Sequence, residues 1–172
     1  MTYRVQFEQW VPFPIEQVFL FFANPNNLTR IMPPASEAKL LRLELKPPPA
    51  NGSGSATPLA GPGSAIVISV RILPFLPIRA SWIARIIDFE WNHHFVDIQE
   101  KGPFKSWHHR HQFSSETRNG ILGTLVGDVV DYEIGFGLLG ALAQKFLIAR
   151  QMQQTFAHRQ KILESLLSQN GK

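Results

Sequence analysis

Residues 104–134 read FKSWHHRHQFSSETRNGILGTLVGDVVDYEI, two alternating runs on either side of Asn119-Gly120. An Asn-Gly pair suits a two-residue hairpin turn, because both central positions of that turn need a positive φ. In the run Phe104 to Phe113, Trp107, His109, His111 and Phe113 share one face, and Ser106, His108, Arg110 and Gln112 share the other. In the run Leu125 to Ile134, Asp128, Val130, Tyr132 and Ile134 oppose Val129, Asp131 and Glu133. The large apolar members mark the inward faces and take His109, His111 and Asp128 in with them. A tight turn at Asn119-Gly120 sets His111 opposite Asp128, His109 opposite Val130 and Trp107 opposite Tyr132; a bulge at Gly123 or Gly127 would shift that register. A carboxylate on an apolar face is costly unless paired, and an imidazole partner both pairs it and has its tautomer fixed.

Further strand-like runs lie outside this hairpin. Ser64 to Ile72, Ile78 to Ile87 and Phe95 to Gln99 are separated by Leu73-Pro74-Phe75-Leu76-Pro77 and by a turn region from Asp88 to His94. Lys39 to Leu45 alternates, and Tyr3 to Val11 places Tyr3, Val5, Phe7 and Val11 on one side. Between those two runs, Pro14 opens a short helix over Ile15 to Ala23. Asn24 then caps a second, with Pro25 at its first position, running to Ile31 before Met32-Pro33-Pro34 closes it. Pro47 to Gly63 holds five Pro, four Gly and two Ser and reads as a long, mobile loop within one domain. Leu138 to Leu167 has no proline and repeats Leu139, Leu142, Phe146, Ala149, Phe156, Leu163 and Leu167 at helical spacing. The order of strand, two short helices, about six antiparallel strands and one long helix predicts a single α+β domain over residues 1–172. If the sheet curls around the helix, a cavity lies between them.

Composition narrows the function classes. With 44% hydrophobic and 17% charged residues and a formal charge of +4, the chain can bury a core and lacks the signature of disorder. Zero cysteines exclude disulfides, thiolate metal sites and cysteine nucleophiles. The 13 Phe against 2 Tyr and 4 Trp favour purely apolar walls. Basic residues are spread along the chain with no arginine-rich run, so nucleic acid is not expected as a partner. The N-terminal residues carry no apolar run of signal-peptide length, which predicts a cytoplasmic protein. The greasy stretch Ile134 to Ala149 is interrupted by Gln144 and Lys145 and is too short for an integral membrane segment. His93 and His94 read as solvated turn residues, and His158, Lys145, Arg150, Arg159 and Lys161 as the polar face of the long helix. Phe19, Phe21 and Phe22 cannot all face one way, so at least one is expected to line or gate a cavity. No phosphate loop, nucleophile elbow, zinc-helix or dinucleotide motif is present.

Three readings stay open for the histidine cluster. The first is a structural polar network. The second is a ligand-orienting or acid–base site, with Asp128 orienting His111 while His109 or Tyr132 touches a carbonyl or hydroxyl. The third is a metal held by His109, His111 and Asp128. Nothing in the sequence supplies a second shell for that ion, so neither metal nor cofactor is assigned.

Pro12-Phe13-Pro14-Ile15-Glu16-Gln17-Val18-Phe19 followed by Asn24-Pro25-Asn26-Asn27-Leu28, then Phe95-Val96-Asp97-Ile98-Gln99 with Gly102-Pro103-Phe104, Trp107 to Phe113 and Asp128 to Tyr132, resembles the SRPBCC superfamily. This is the START-like, helix-grip group that includes birch-pollen-allergen proteins and polyketide cyclase/dehydrases. The resemblance runs from Tyr3 to about Leu167. It implies a curved seven-stranded antiparallel sheet gripping a long C-terminal helix, with a hydrophobic pocket between them. The function it implies is binding of a small hydrophobic molecule such as a lipid, polyketide or aromatic. Trp82, Trp107, His109, His111, Phe113, Asp128 and Tyr132 are the expected lining. The alternative is a cyclase/dehydratase-type enzyme in which His111 with Asp128 removes a proton and Tyr132 or His109 polarises a carbonyl. A third is a partner-binding module using the helix surface, which needs no pocket. The resemblance names no ligand and no oligomeric state.

Overall fold

The first strand, β1 (Thr2–Val11), alternates half-buried and exposed residues, as its sequence period requires. The structure is a computed structural model that describes residues 1–50, 58–71, 78–135 and 147–170. Pro14 leads into α1 (Ile15–Ala23), which buries Val18, Phe19, Phe21 and Ala23. The Asn24 side chain then accepts from the Asn26 N–H at 3.1 Å, capping a 3₁₀ turn over Pro25–Asn27 that continues into α2 (Leu28–Ile31). Asn27 fixes this corner from inside by donating Nδ2 to the Phe21 carbonyl at 2.9 Å. A further 3₁₀ turn, Pro34–Ser36, precedes β2 (Lys39–Glu44).

The remaining strands are β3 (Ala65–Arg71), β4 (Arg79–Glu90), β5 (His94–Lys101), β6 (Ser106–Arg118) and β7 (Ile121–Glu133). They form one seven-stranded antiparallel sheet in the order β1-β7-β6-β5-β4-β3-β2. Asn119 and Gly120 take φ of +51° and +78°, and the β6–β7 register runs unbroken from Arg118↔Ile121 to Ser106↔Glu133. His111 therefore stands opposite Asp128, with no bulge at Gly123 or Gly127. Bulges fall elsewhere: between Leu40 and Arg42 in β2, and at Ile83/Ala84 and Ile86/Asp88 where β4 meets β5. Such bulges bend strands and add twist, which curves the sheet.

Gly123 marks a close approach. A Cβ there would sit 2.4 Å from the Val11 carbonyl oxygen and 2.6 Å from the Trp10 ring, whose Nε1 donates to the Glu116 carbonyl at 2.9 Å. Both neighbours are held in the sheet, so the overlap cannot relax cheaply. Gly123→Ala is expected to destabilise the chain by about 1–3 kcal/mol, read as a lowered urea midpoint with unchanged slope.

The last helix, α3 (Ala149–Asn170), lies against the sheet with Leu163 and Leu167 fully buried. Its seat is fixed by Gln9 donating to the Gln160 carbonyl at 2.8 Å, Gln160 donating to the Glu8 carbonyl at 3.0 Å and Gln17 donating to the Leu167 carbonyl at 2.9 Å. The earlier part of the predicted helix, with Leu139, Leu142, Lys145 and Phe146, lies outside the described residues.

The loop after β2 is packed at both ends: Leu59 and Ala60 are buried, the Ala60 N–H donates to the Ala23 carbonyl at 3.0 Å and the Gly61 N–H to the Lys46 carbonyl at 2.9 Å. Its middle, 51–57, is outside the described residues. His94 is a buried strand residue, not a solvated turn residue. Its Nε2 lies 2.8 Å from Asp88 Oδ2, diagonally across the β4–β5 pair.

Candidate functional site

β6 presents His109 and His111 side by side on its inner face, with ring centroids 3.8 Å apart. The strand on each side supplies a carboxylate. From β7, Asp128 stands opposite His111; from β5, Asp97 stands opposite His109. His109 Nε2 is 2.9 Å from Asp128 Oδ1, and His111 Nδ1 is 3.0 Å from the same oxygen but outside hydrogen-bond geometry. The far sides of the rings face Asp97, whose Oδ2 lies 3.6 Å from His109 Nδ1 and 3.3 Å from His111 Nε2. From α3, Arg159 completes the cluster by donating to both oxygens of Asp128, Nη1 to Oδ1 at 3.0 Å and Nη2 to Oδ2.

This network is buried. Asp128 is 1% exposed, Arg159 5%, and each histidine 9%. Burial alone would raise the Asp128 carboxyl, but the Arg159 charge with the two histidine contacts outweighs it and holds the group well below the usual carboxylate range. The two imidazoles are pulled apart. Burial and the neighbouring His111 lower His109, whereas at His111 burial is outweighed by Asp128 and Asp97 and the group is raised. Neighbouring groups separated in this way can divide acid and base roles.

Asp97, His109 and His111 open onto a cavity of about 530 Å³ between the sheet, α1 and α3. Its wall is mainly apolar, including Phe22, Ile66, Ile68, Trp82, Ile86 and Met152, and Arg159 reaches its edge. Phe21 and Phe22 face this space, while Phe19 turns into the core against Phe89, Phe95 and Phe113. Trp107 also lines it, and its buried Nε1 finds no hydrogen-bond partner among the described residues.

Of the residues expected to line the cavity, Trp82, Trp107, His109 and His111 do so. Phe113, Asp128 and Tyr132 do not. They point inward as their strand period requires, but Phe113 is covered by Phe19 and Phe22, Asp128 sits behind the histidine rings, and Tyr132 is wedged against Tyr3, Phe104 and Trp107. Arg159 is a second correction: it is a buried ion-pair partner, not part of a solvated face. Its position was readable, since Met152, Phe156, Arg159, Leu163 and Leu167 follow one another at helical spacing and all are buried. Asp97 was missed because the flanking Val96 and Ile98 suggest that β5 faces inward the other way. Phe95, stacked 4.2 Å from His111, shares the face of Asp97 and carries the contrary signal.

The family model for polyketide cyclase/dehydrase and lipid transport proteins matches residues 11–160. The chain belongs to this family. No match is found among curated protein sequences. The polyketide cyclase/dehydrase and lipid transport fold is shared with several solved structures. The protein TTHA0849 from Thermus thermophilus aligns with a TM-score of 0.67 at 17% identity, over 98% of this chain and 99% of that one. A START superfamily protein from Mycobacterium smegmatis aligns at 0.63 and 17% identity, over 96% and 97%. A point mutant of Thalictrum flavum norcoclaurine synthase, in complex with a transition-state analogue, aligns at 0.62 and 13% identity, over 100% and 98%. These likenesses establish the helix-grip fold for this family member. No described helix is long and apolar enough to cross a membrane.

Proposed function

We propose that the protein binds a small, mostly apolar molecule carrying one polar group, with its body against the Ile66, Ile68 and Trp82 wall and its polar group at Asp97, His109 and His111. The observation that carries this reading is the cavity: about 530 Å³, apolar over most of its wall, with the compact Asp97, His109 and His111 cluster among its polar lining. That volume lies in the range of small-molecule sites, and a few polar groups on an apolar wall orient a ligand. The reading covers lipids, polyketides and aromatics alike. It speaks against the partner-binding alternative, which requires a filled core.

The opposite pull on His109 and His111 favours a second reading, acid–base chemistry of the cyclase/dehydratase type on the bound molecule. Tyr132 is not part of the cavity wall and has no part in this reading; the raised His111 is the group suited to donate to a carbonyl and the lowered His109 the one suited to accept a proton.

Native mass spectrometry of the freshly purified chain, compared with its denatured mass, tests for a retained molecule. A fluorescent apolar probe then titrates the site. Ala84→Trp places an indole in the cavity wall and is expected to weaken probe binding by more than about tenfold, a loss of roughly 1.4 kcal/mol. Equal probe binding by a folded Ala84→Trp chain would place the probe elsewhere and sink the cavity reading.

A further inference from the structure

We infer that Asp97, His109 and His111 form a binding site for a divalent first-row transition-metal ion at the polar end of the cavity. One donor atom from each of the three residues lies within 4.8 Å of the other two. Metal–ligand bonds of about 2.0–2.2 Å set neighbouring donors roughly 3.0–3.5 Å apart. The Asp97 oxygen stands 3.3 Å from His111 Nε2 and 3.6 Å from His109 Nδ1, at or close to that span, and the two ring nitrogens lie within 4.8 Å of each other.

The ring orientation is the second observation. A histidine that ligates through one nitrogen is usually held by a carboxylate at the other, which fixes ring and tautomer. Here both rings turn their rear nitrogens to one carboxylate, Asp128, and their front nitrogens toward Asp97. Asp128 is itself fixed by Arg159. Asp128 thus supplies the outer-shell hydrogen bond to His109 that the sequence did not reveal, lies 3.0 Å from His111 Nδ1 outside hydrogen-bond geometry, and stands behind the rings instead of in the ligand set.

Two imidazoles and one carboxylate suit zinc, iron, cobalt or nickel, and this set leaves coordination positions free on an ion bound there. All three ligands line the cavity, so those positions are available to an oxygen of the molecule bound there. The metal site does not depend on the ligand reading, because its test contains no organic molecule.

A second group, Glu90, His93 and His94, provides a control, since Glu90 and His93 are exposed and none of the three lines the cavity described above. The chelator-treated full-length chain is titrated with Co²⁺, followed by visible absorption, and with Zn²⁺ against a chromophoric competitor. One equivalent is expected to bind. Asp97→Asn should weaken binding by more than about tenfold, the lower bound for disturbing even an outer-shell group. His93→Gln should leave binding unchanged. The metal should also raise the thermal midpoint of the wild-type and His93→Gln chains but not that of Asp97→Asn. Absence of saturable binding, or binding lost in His93→Gln and kept in Asp97→Asn, overturns the assignment. If Asp97→Asn does not fold, X-ray absorption of the zinc-loaded His93→Gln chain decides: two bound imidazoles support the site and fewer refute it.

Discussion

Asp128→Asn is expected to lower the unfolding free energy by about 3–5 kcal/mol, the usual cost of leaving one member of a buried ion pair without its partner. Arg159, 5% exposed, would keep its charge in the core with only a neutral amide beside it. His109 and Arg159 would compete for the single acceptor oxygen of that amide. Equilibrium urea unfolding measures the loss. A paired change, Asp128→Leu with Arg159→Met, should recover much of it, because an apolar pair of similar volume avoids the desolvation cost that the ions incur. A loss below about 1 kcal/mol in Asp128→Asn would mean that Arg159 finds water or another acceptor, and that the ion pair does not anchor α3.

Phe19→Ala is expected to cost about 3–5 kcal/mol, in the range for emptying a buried phenylalanine site. Phe19 is fully buried, and its ring centroid lies 5.1 Å from Phe113, 5.2 Å from Phe89, 5.7 Å from Trp91 and 6.1 Å from Phe95. It bolts α1 to β4, β5 and β6. Because its side chain does not line the cavity, a refolded Phe19→Ala chain should keep its affinity for an apolar probe. Phe22→Ala should do the reverse. Phe22 is only half-buried and lines the cavity, so its removal costs less stability and alters probe binding. Thermal unfolding and probe titration on the same two variants separate the roles; similar behaviour in both assays would mean that α1 does not divide core from cavity wall.

The sheet and its hairpin were legible because their signals are local. Asn119-Gly120 needs two positive φ values and obtains them, and the strand period then carries the pairing as far as Ser106↔Glu133. Which way a side chain points was also readable, as Trp107, His109 and His111 show. What it meets there was not. Phe113 and Tyr132 point inward but are roofed by residues far away in the chain, Phe19 and Tyr3 respectively, as well as by nearer ones. Asp97 required knowing that β5 pairs with β6 in the register Asp97↔His109, a pairing not set by a tight turn of known type. Arg159 was misread through its charge. Its helical position placed it in the buried stripe, and only the Asp128 carboxylate across the interior explains why a cation belongs there.

The bulge between Leu40 and Arg42 bears on how the chain avoids sticking to itself. An open sheet ends in strands with unused backbone donors and acceptors, and such edges invite pairing with another copy. β2 is one of these ends, and it is six residues long, interrupted by the bulge and studded with Lys39, Arg42 and Glu44. A second copy approaching this edge meets a break in register and the cost of desolvating those charges before it can form a ladder. The irregularity that helps shape the sheet thereby guards its border against aggregation, even with Leu41 lying 58% exposed upon it.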